Sequence, residues 1–345
     1  MTGALENLID RFIPMLGIGV IGFAVAMLLT PVYTYFAYRY EWWKLPRRES
    51  ITGEKAVKFY ELHAHKHRRL IPTMAGVITL ASIAVITVTL NLSREQTYLP
   101  LAAVLGGGLI GLIDDIINIR GSGKGIAGLR SSRKLVLLLI VALLGGLYFY
   151  YKLDYSSLAF PFVDGRLELG WLIVPVFGFV ILATANAVNI TDGLDGLAGG
   201  LLASAFGAFG IIAFMQGNYG IARFCMTLAG VMLAYTWFNL YPARFFMGDV
   251  GSFAMGAGLG VIAMLTDSVF ILPIIGGVFV VEAASSLLQI TSKRLLKRKI
   301  FRVAPLHHHL EAIGWPETKV TMRFWIIGQV LALGGIVVAI LGGLI

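Results

Sequence analysis

Charge and cysteine are scarce in this chain. Cys225 is the only cysteine in 345 residues and sits inside an apolar run, so an intrachain disulfide is excluded and its ordinary role is that of a small buried hydrophobe. Asp, Glu, Lys and Arg together make up 14% of the chain, against 57% apolar residues. A soluble fold of this length cannot bury that much apolar surface, whereas a bilayer accommodates it, which excludes a soluble all-α protein. The first apolar run, from about Ile13, lacks a basic start and a small-residue cleavage site, so it reads as a retained span. No internal repeat is evident, which removes the main support for an inverted-repeat transporter. No Gly-Lys-Ser/Thr ending follows any glycine-rich turn, so there is no P-loop.

What the chain does have is a succession of apolar runs. A hydrocarbon core takes roughly 20 residues per helix. Runs of that kind lie near 13–38, 70–92, 97–119, 134–152, 170–188, 196–216, 219–241, 247–266, 270–291 and 322–344. The fold expected is an all-α, polytopic membrane protein of about ten transmembrane helices, forming a single domain over 1–345. The 41 glycines suit helices that pack closely in lipid.

The basic residues orient the bundle. Eight fall in 41–69, five in 120–134 and seven in 291–320, with Arg244 in a further loop, and these loops alternate with poorly charged ones. The alternate loops (near 41–69, 120–134, 187–196, 242–250 and 291–320) are expected on the cytoplasmic side, with both termini on the outer side. The outer loops are short except 152–169, where Asp154, Asp164, Gly165 and Arg166 predict a small polar excursion. The net charge of +9 suits an anionic lipid surface or an anionic substrate. Because the basic residues are spread over separate loops, a nucleic-acid partner is not expected.

The same loops collect the chemistry. All six histidines lie in two of them, at 63, 65, 67 and 307–309. Asp114-Asp115 closes the third span; neighbours on a helix point about 100° apart, so one acid aims at a substrate while the other orients it or a cation. In NAVNITDGLDGLAGG, Asn186, Asn189, Asp192 and Asp195 recur every three residues, a spacing that aligns them on one helical face. Gly193 and Gly196 permit either a close backbone approach or a left-handed turn. Asp249 in MGDVGS stands near a helix start, where a lone Asp is most often an N-cap. Its neighbours Asn239, Arg244 and Phe246 could instead hold, neutralise and stack against an anionic nucleotide, and one carboxylate suffices for Mg²⁺, which completes its shell with waters and phosphates. Three consecutive histidines converge poorly on a tetrahedral zinc ion; His307, His308 and His309 are better suited to donating to phosphates, with one possible proton-transfer group among them. Glu282, inside the ninth span, needs a partner or a water-lined groove.

Taken together, PTMAG at 72–76, Asp114-Asp115, NAVNITDGLDGLA at 186–198, FNLYPARFFMGDVGS at 238–252, GGVFVVE at 276–282 and FRVAPLHHHLEAIGWPETKVTMRFWI from 301 resemble the polyprenyl-phosphate N-acetylhexosamine-1-phosphate transferase superfamily. The match runs in order over about 63–327, and the segment with the three histidines resembles the branch that uses a muramoyl-pentapeptide donor. The resemblance implies ten helices and a Mg²⁺-dependent exchange at the cytoplasmic face of the bacterial inner membrane. UDP-MurNAc-pentapeptide and undecaprenyl phosphate would give lipid I and UMP; the alternative is a UDP-GlcNAc:polyprenyl-phosphate transferase with the same chemistry. By similarity Asp249 would hold Mg²⁺, while Asp114 and Asp115 would orient or deprotonate the lipid phosphate. His307 is the histidine taken as catalytic. Asp192, Gly193, Leu194 and Asp195, with Asn186, Asn189, Asn239, Phe246, Gln289, His308 and His309, would line the donor pocket. Arg68, Thr73 and Lys134 are further substrate-binding candidates, and a homodimer is left open. The family commonly carries a lysine three residues after the acid pair, where this chain has Asn118; Lys124 and Lys134 are the candidates to replace it. Arg68 stands where a lysine is usual, and Ala75 where a second glycine is usual, a pattern closer to the N-acetylglucosamine branch.

Overall fold

A computed structural model describes residues 2–43, 70–121 and 128–345. The chain is a bundle of α-helices: α1 (Thr2–Arg39), α2 (Gly76–Leu90), α3 (Tyr98–Arg120), α4 (Ser131–Tyr151), α5 (Ile173–Thr191), α6 (Leu197–Met215), α7 (Tyr219–Asn239), α8 (Gly248–Leu265), the single turn α9 (Leu272–Ile275), α10 (Gly277–Leu295), the short α11 (Leu306–Ala312) and α12 (Glu317–Leu341). Helices dominate because a backbone in lipid must satisfy its own hydrogen bonds.

Among the described residues, eight helices are long and apolar enough to cross a membrane. Each of the ten expected runs carries a helix, but two fall short of that measure. α2 has 15 residues, roughly 22 Å of rise, because 70–74 are non-helical, with Met74 at φ +70°, and the helix starts only after the turn at Ala75. The ninth run breaks at Gly276 into α9 and α10, and α10 carries Glu282, Ser285, Gln289 and Ser292 on one face. The excursion at 152–169 is a two-stranded antiparallel hairpin, β1 (Ser157–Ala159) with β2 (Arg166–Glu168), tied to the bundle by the Arg166–Asp267 ion pair at 2.5 Å.

α8 forms the centre. Every residue from Val250 to Leu265 is buried, against α3, α5 and α2. Hydrophobic attraction is absent between helices in lipid, so small residues that let backbones meet must do the work. A Cβ on Gly76 would lie 2.3 Å from the Gly251 nitrogen, and one on Gly111 would lie 2.1 Å from the Asp249 carbonyl oxygen. α1, α4 and α12 instead turn exposed Leu, Ile and Val outward, as lipid-facing helices do.

The turns place the chemistry at one end. The C-terminal ends of α1, α3, α5, α7 and α10 meet there with the N-terminal ends of α2, α4, α6, α8 and α12. At the other end Gln216 donates to the Leu344 carbonyl and Phe12 packs on Phe214. Both ends of the described chain thus lie opposite the site.

Candidate active site

α3 and α8 cross where Gly111 meets the Asp249 backbone, and this brings three acids together. Side-chain oxygens of Asp114, Asp115 and Asp249 all lie within 4.8 Å of one another. At an effective dielectric constant of 20, each such pair of like charges repels by roughly 3 kcal/mol, so the cluster needs compensation. Lys134, on the first turn of α4, provides it: its Nζ lies 2.7 Å from Asp114 Oδ2 and 2.6 Å from Asp249 Oδ2. Neutral donors complete the arrangement. Asn118 donates to Asp114 at 2.8 Å, the Leu129 N–H donates to Asp114 at 2.6 Å and the Val250 N–H donates to Asp115 at 3.0 Å. Asn189 donates to Asp249 Oδ1 at 3.2 Å and to Ser252 Oγ at 2.8 Å.

Lys134 thus reaches the acids, while Asn118, where a lysine is usual, serves Asp114 as a neutral donor. Lys124, Arg68 and the histidines at 63, 65 and 67 lie outside the described residues. Asp114 and Asp115 are fully buried and face different partners, as their 100° separation requires. Asp249 sits in the first turn of α8, and Met247, not Asp249, occupies the cap position. Gly248, before it, has φ +75°, and a Cβ there would lie 2.4 Å from Asp115 Oδ2. Only glycine makes this turn against a carboxylate.

A second loop is zipped onto this corner. The Phe246 N–H donates to the Pro72 carbonyl, and the Ala75 and Gly76 N–H groups donate to the Phe246 and Met247 carbonyls. Thr73 is buried, its N–H bound to the Trp42 carbonyl and its own carbonyl receiving the Tyr33 hydroxyl. Thr73 and Phe246 therefore shape the wall beside the acids. Arg244 is exposed and lines a cavity of about 290 Å³ with Thr34, Tyr38, Phe238 and Phe245.

The expected four-residue ladder does not form. α5 ends at Thr191, so only Asn186 and Asn189 share its face, with the Asn186 amide donating to the Leu182 carbonyl. Asp192 caps the helix end, and 193–196 form a turn in which Gly196 is left-handed at φ +78°. Asp195 is buried, accepting from the Ala243 N–H at 3.0 Å, while its own N–H donates to Glu317 at 2.7 Å. Asn239 bridges the same parts, accepting from the Gly196 N–H and donating to the Phe245 carbonyl. Asp195 and Asn239, with Leu194 buried between them, brace the turn against the 240–247 loop.

The histidines come from an arm that folds back along α10. Glu282, Ser285, Gln289 and Ser292 recur at helical spacing and hold it in antiparallel order. Ser292 donates to the Arg298 carbonyl, Gln289 takes the Ile300 and Phe301 N–H groups and donates to the Phe301 carbonyl, and Ser285 accepts from the Leu306 N–H. Glu282 accepts from the His307 N–H at 3.1 Å and pairs with His307 Nδ1 at 2.8 Å. Glu282 thus has the partner an intramembrane acid requires. The far side of the His307 ring meets the turn at 193–196, where a Cβ on Gly193 would lie 2.3 Å from His307 Nε2. His308 pairs with Glu311 at 2.7 Å, and His309 accepts from the Arg302 N–H at 3.1 Å. The three rings therefore have three separate partners. Trp325 and Thr321 of α12, which donate to the Gly196 and Asp195 carbonyls, were not singled out from sequence; only their place in the stretch after the histidines hinted at them.

Residues 97–267 match the family described as Glycosyl transferase family 4. The chain is 37% identical over 326 residues to a phospho-N-acetylmuramoyl-pentapeptide-transferase of Bacillus pumilus, covering 93% of this chain and 96% of that protein. Proteins of the same name from a Geobacillus species and from Bacillus subtilis are each 38% identical, over 329 and 324 residues, covering 93% and 92% of this chain and 96% of theirs.

Proposed function

The chain belongs to the phospho-N-acetylmuramoyl-pentapeptide-transferase family, and on that footing we propose that it transfers phospho-MurNAc-pentapeptide from UDP-MurNAc-pentapeptide to undecaprenyl phosphate, giving lipid I and UMP. The observation that carries the reading to specific residues is the acid triad with its lysine at one end of a membrane bundle. A lipid phosphate and a cytoplasmic nucleotide meet only at a membrane surface, and the basic loops support the cytoplasmic side of the bacterial inner membrane as that surface.

A phosphate oxygen of the lipid attacks the β-phosphorus of the donor. The new O–P bond forms as the bond from that phosphorus to the bridging oxygen breaks, and UMP leaves with that oxygen. Such transfer demands positioning and charge compensation more than covalent help. Three hard carboxylates within 4.8 Å fit a hard divalent cation such as Mg²⁺, which takes one or two of them, and Asp249, the least buried of the three, would hold it. When bound, the metal neutralises charge on the donor diphosphate. Asp114 and Asp115, on α3, orient the acceptor phosphate or take its proton. The turn at 192–195 and His307, held by Glu282, form the donor wall. Phe246, Asn186 and Asn189 border it, with His308 and His309 at its outer edge; Gln289 acts by fixing the arm.

Purified protein supplied with Mg²⁺, undecaprenyl phosphate and one UDP-sugar at a time tests this. UMP release is expected with UDP-MurNAc-pentapeptide, and release with UDP-GlcNAc alone would overturn the donor assignment. The relatives carry the muramoyl name, so the N-acetylglucosamine alternative is not favoured.

A further inference from the structure

Lys134 sits where the charge of the triad is greatest. Its ammonium lies between Asp114 Oδ2 and Asp249 Oδ2, at 2.7 and 2.6 Å, and so joins one acid of α3 to the acid of α8. Among the described residues, Asn118 and the Leu129 N–H also donate to Asp114, and Asn189 to Asp249. Asp249 Oδ1 is engaged by Asn189 and Oδ2 by Lys134, so a metal ion bound to Oδ2 at the roughly 2.1 Å of a magnesium–oxygen bond would meet the ammonium. Two cations do not share one carboxylate oxygen at those lengths without strong repulsion.

The position of Lys134 gives it somewhere to go. It stands on the first turn of α4, beside exposed Ser131, Ser132 and Arg133, and 23% of its own side chain is open to the surroundings. The Phe253 ring lies 5.9 Å from its Nζ, so an aromatic face flanks the ammonium on one side. Four methylenes let the ammonium swing by several ångström while the helix stays in place.

We propose that Lys134 is an internal stand-in for the divalent cation. It holds the triad together in the metal-free protein, and it leaves the Asp114–Asp249 bridge when the metal binds. The freed ammonium then faces the open side of the site, where the substrate phosphates arrive, so metal loading itself sets out a phosphate-binding cation. The inference rests on the reading of the triad as a metal site, and it adds a coupling between the metal and one side chain.

Two measurements on the full chain in detergent test it, and neither reads activity. In the first, Mn²⁺ binding is followed by electron paramagnetic resonance. Lys134→Met removes the competing charge and is expected to bind Mn²⁺ at least about tenfold more tightly than the native protein. Lys134→Arg retains the charge and is expected not to gain. In the second, native protein is acylated at its amines with an N-hydroxysuccinimide ester and Lys134 is quantified by mass spectrometry. Its reactivity is expected to rise severalfold on saturation with Mn²⁺, because the ion-paired amine is released. Equal or weaker Mn²⁺ binding by Lys134→Met, or unchanged acylation of Lys134 in protein that has bound Mn²⁺, would overturn the inference. No Mn²⁺ binding by native protein would overturn the metal reading itself, and with it this one.

Discussion

Asp249 rides on a helix whose backbone touches that of its neighbour, whereas His307 rides on an arm suspended from side chains. In the first region, Gly111 of α3 and the start of α8 approach so closely that a single methyl group would not fit between them. Carboxylates mounted there inherit the rigidity of the bundle. In the second, four polar residues of α10 hold residues 298–307 through side-chain hydrogen bonds, with the Glu282–His307 pair at the last of them. The difference separates two tasks. Groups that balance charge at a reacting phosphorus must be fixed to a fraction of an ångström. An arm hung on bonds worth about 1 kcal/mol each can lose and regain them one at a time.

The comparison is broken most severely at the rigid end. Asp249→Asn keeps size and hydrogen-bonding reach but removes the charge that holds Lys134 and would hold the metal. UMP release is expected to fall by at least about a hundredfold, the cost of losing one preorganised electrostatic contact. The variant should elute and melt as a folded protein, and near-native turnover would remove Asp249 from the metal role. Gly193→Ala probes where the two regions meet. The added methyl group would press on His307 Nε2, and Glu282 holds the opposite side of the ring. The arm must therefore shift, and kcat/KM for the donor is expected to drop about tenfold, with the lipid KM little changed. An equal rise in both KM values would place the fault in the fold.

Much of the rigid region was legible in the sequence and much of the suspended one was not. Apolar runs marked the helices because lipid admits little else, and the acids stood out because carboxylates at that depth are costly. Spacing alone failed at Asp192 and Asp195: three-residue recurrence is meaningful only while a helix lasts, and α5 stops at Thr191. It also left Lys124 and Lys134 tied; Lys134 reaches Asp114 from the first turn of α4, a contact that only the tertiary path creates. Asp195, Asn239 and Gln289 were expected at the donor pocket, yet all three have hydrogen bonds to backbone atoms. Backbone partners leave no mark in a sequence, so a brace and a ligand look alike there. Glu282 was the exception, because an acid within an apolar run demands a partner, and His307 meets that demand.

Between the extremes lies Glu282→Gln. The carboxamide oxygen still accepts from the His307 N–H, but the negative charge that orients the imidazole is gone, and the amide can present its NH₂ group instead. Turnover is expected to fall several-fold, about 1 kcal/mol, the net worth of a typical intramolecular hydrogen bond. Glu282→Asp, which restores charge on a shorter stem, should recover part of it. If both variants lost activity equally, Glu282 would serve packing and not the orientation of His307.

Gln289→Ala should have the smallest effect on turnover and the most informative on motion. The change frees the Ile300 and Phe301 N–H groups and the Phe301 carbonyl together, while Ser285 and Glu282 still hold the segment that carries the histidines. Amide exchange at 300 and 301 is expected to quicken by about tenfold, the loss of roughly 1.4 kcal/mol of local protection. The His307 amide should keep its native rate, and turnover should fall no more than about twofold, since the rung nearest the donor turn is intact. Uniformly faster exchange from 298 to 312 would mean that the arm opens as one unit. The rungs would then act together, and the suspended region would share the all-or-none rigidity of the acid cluster.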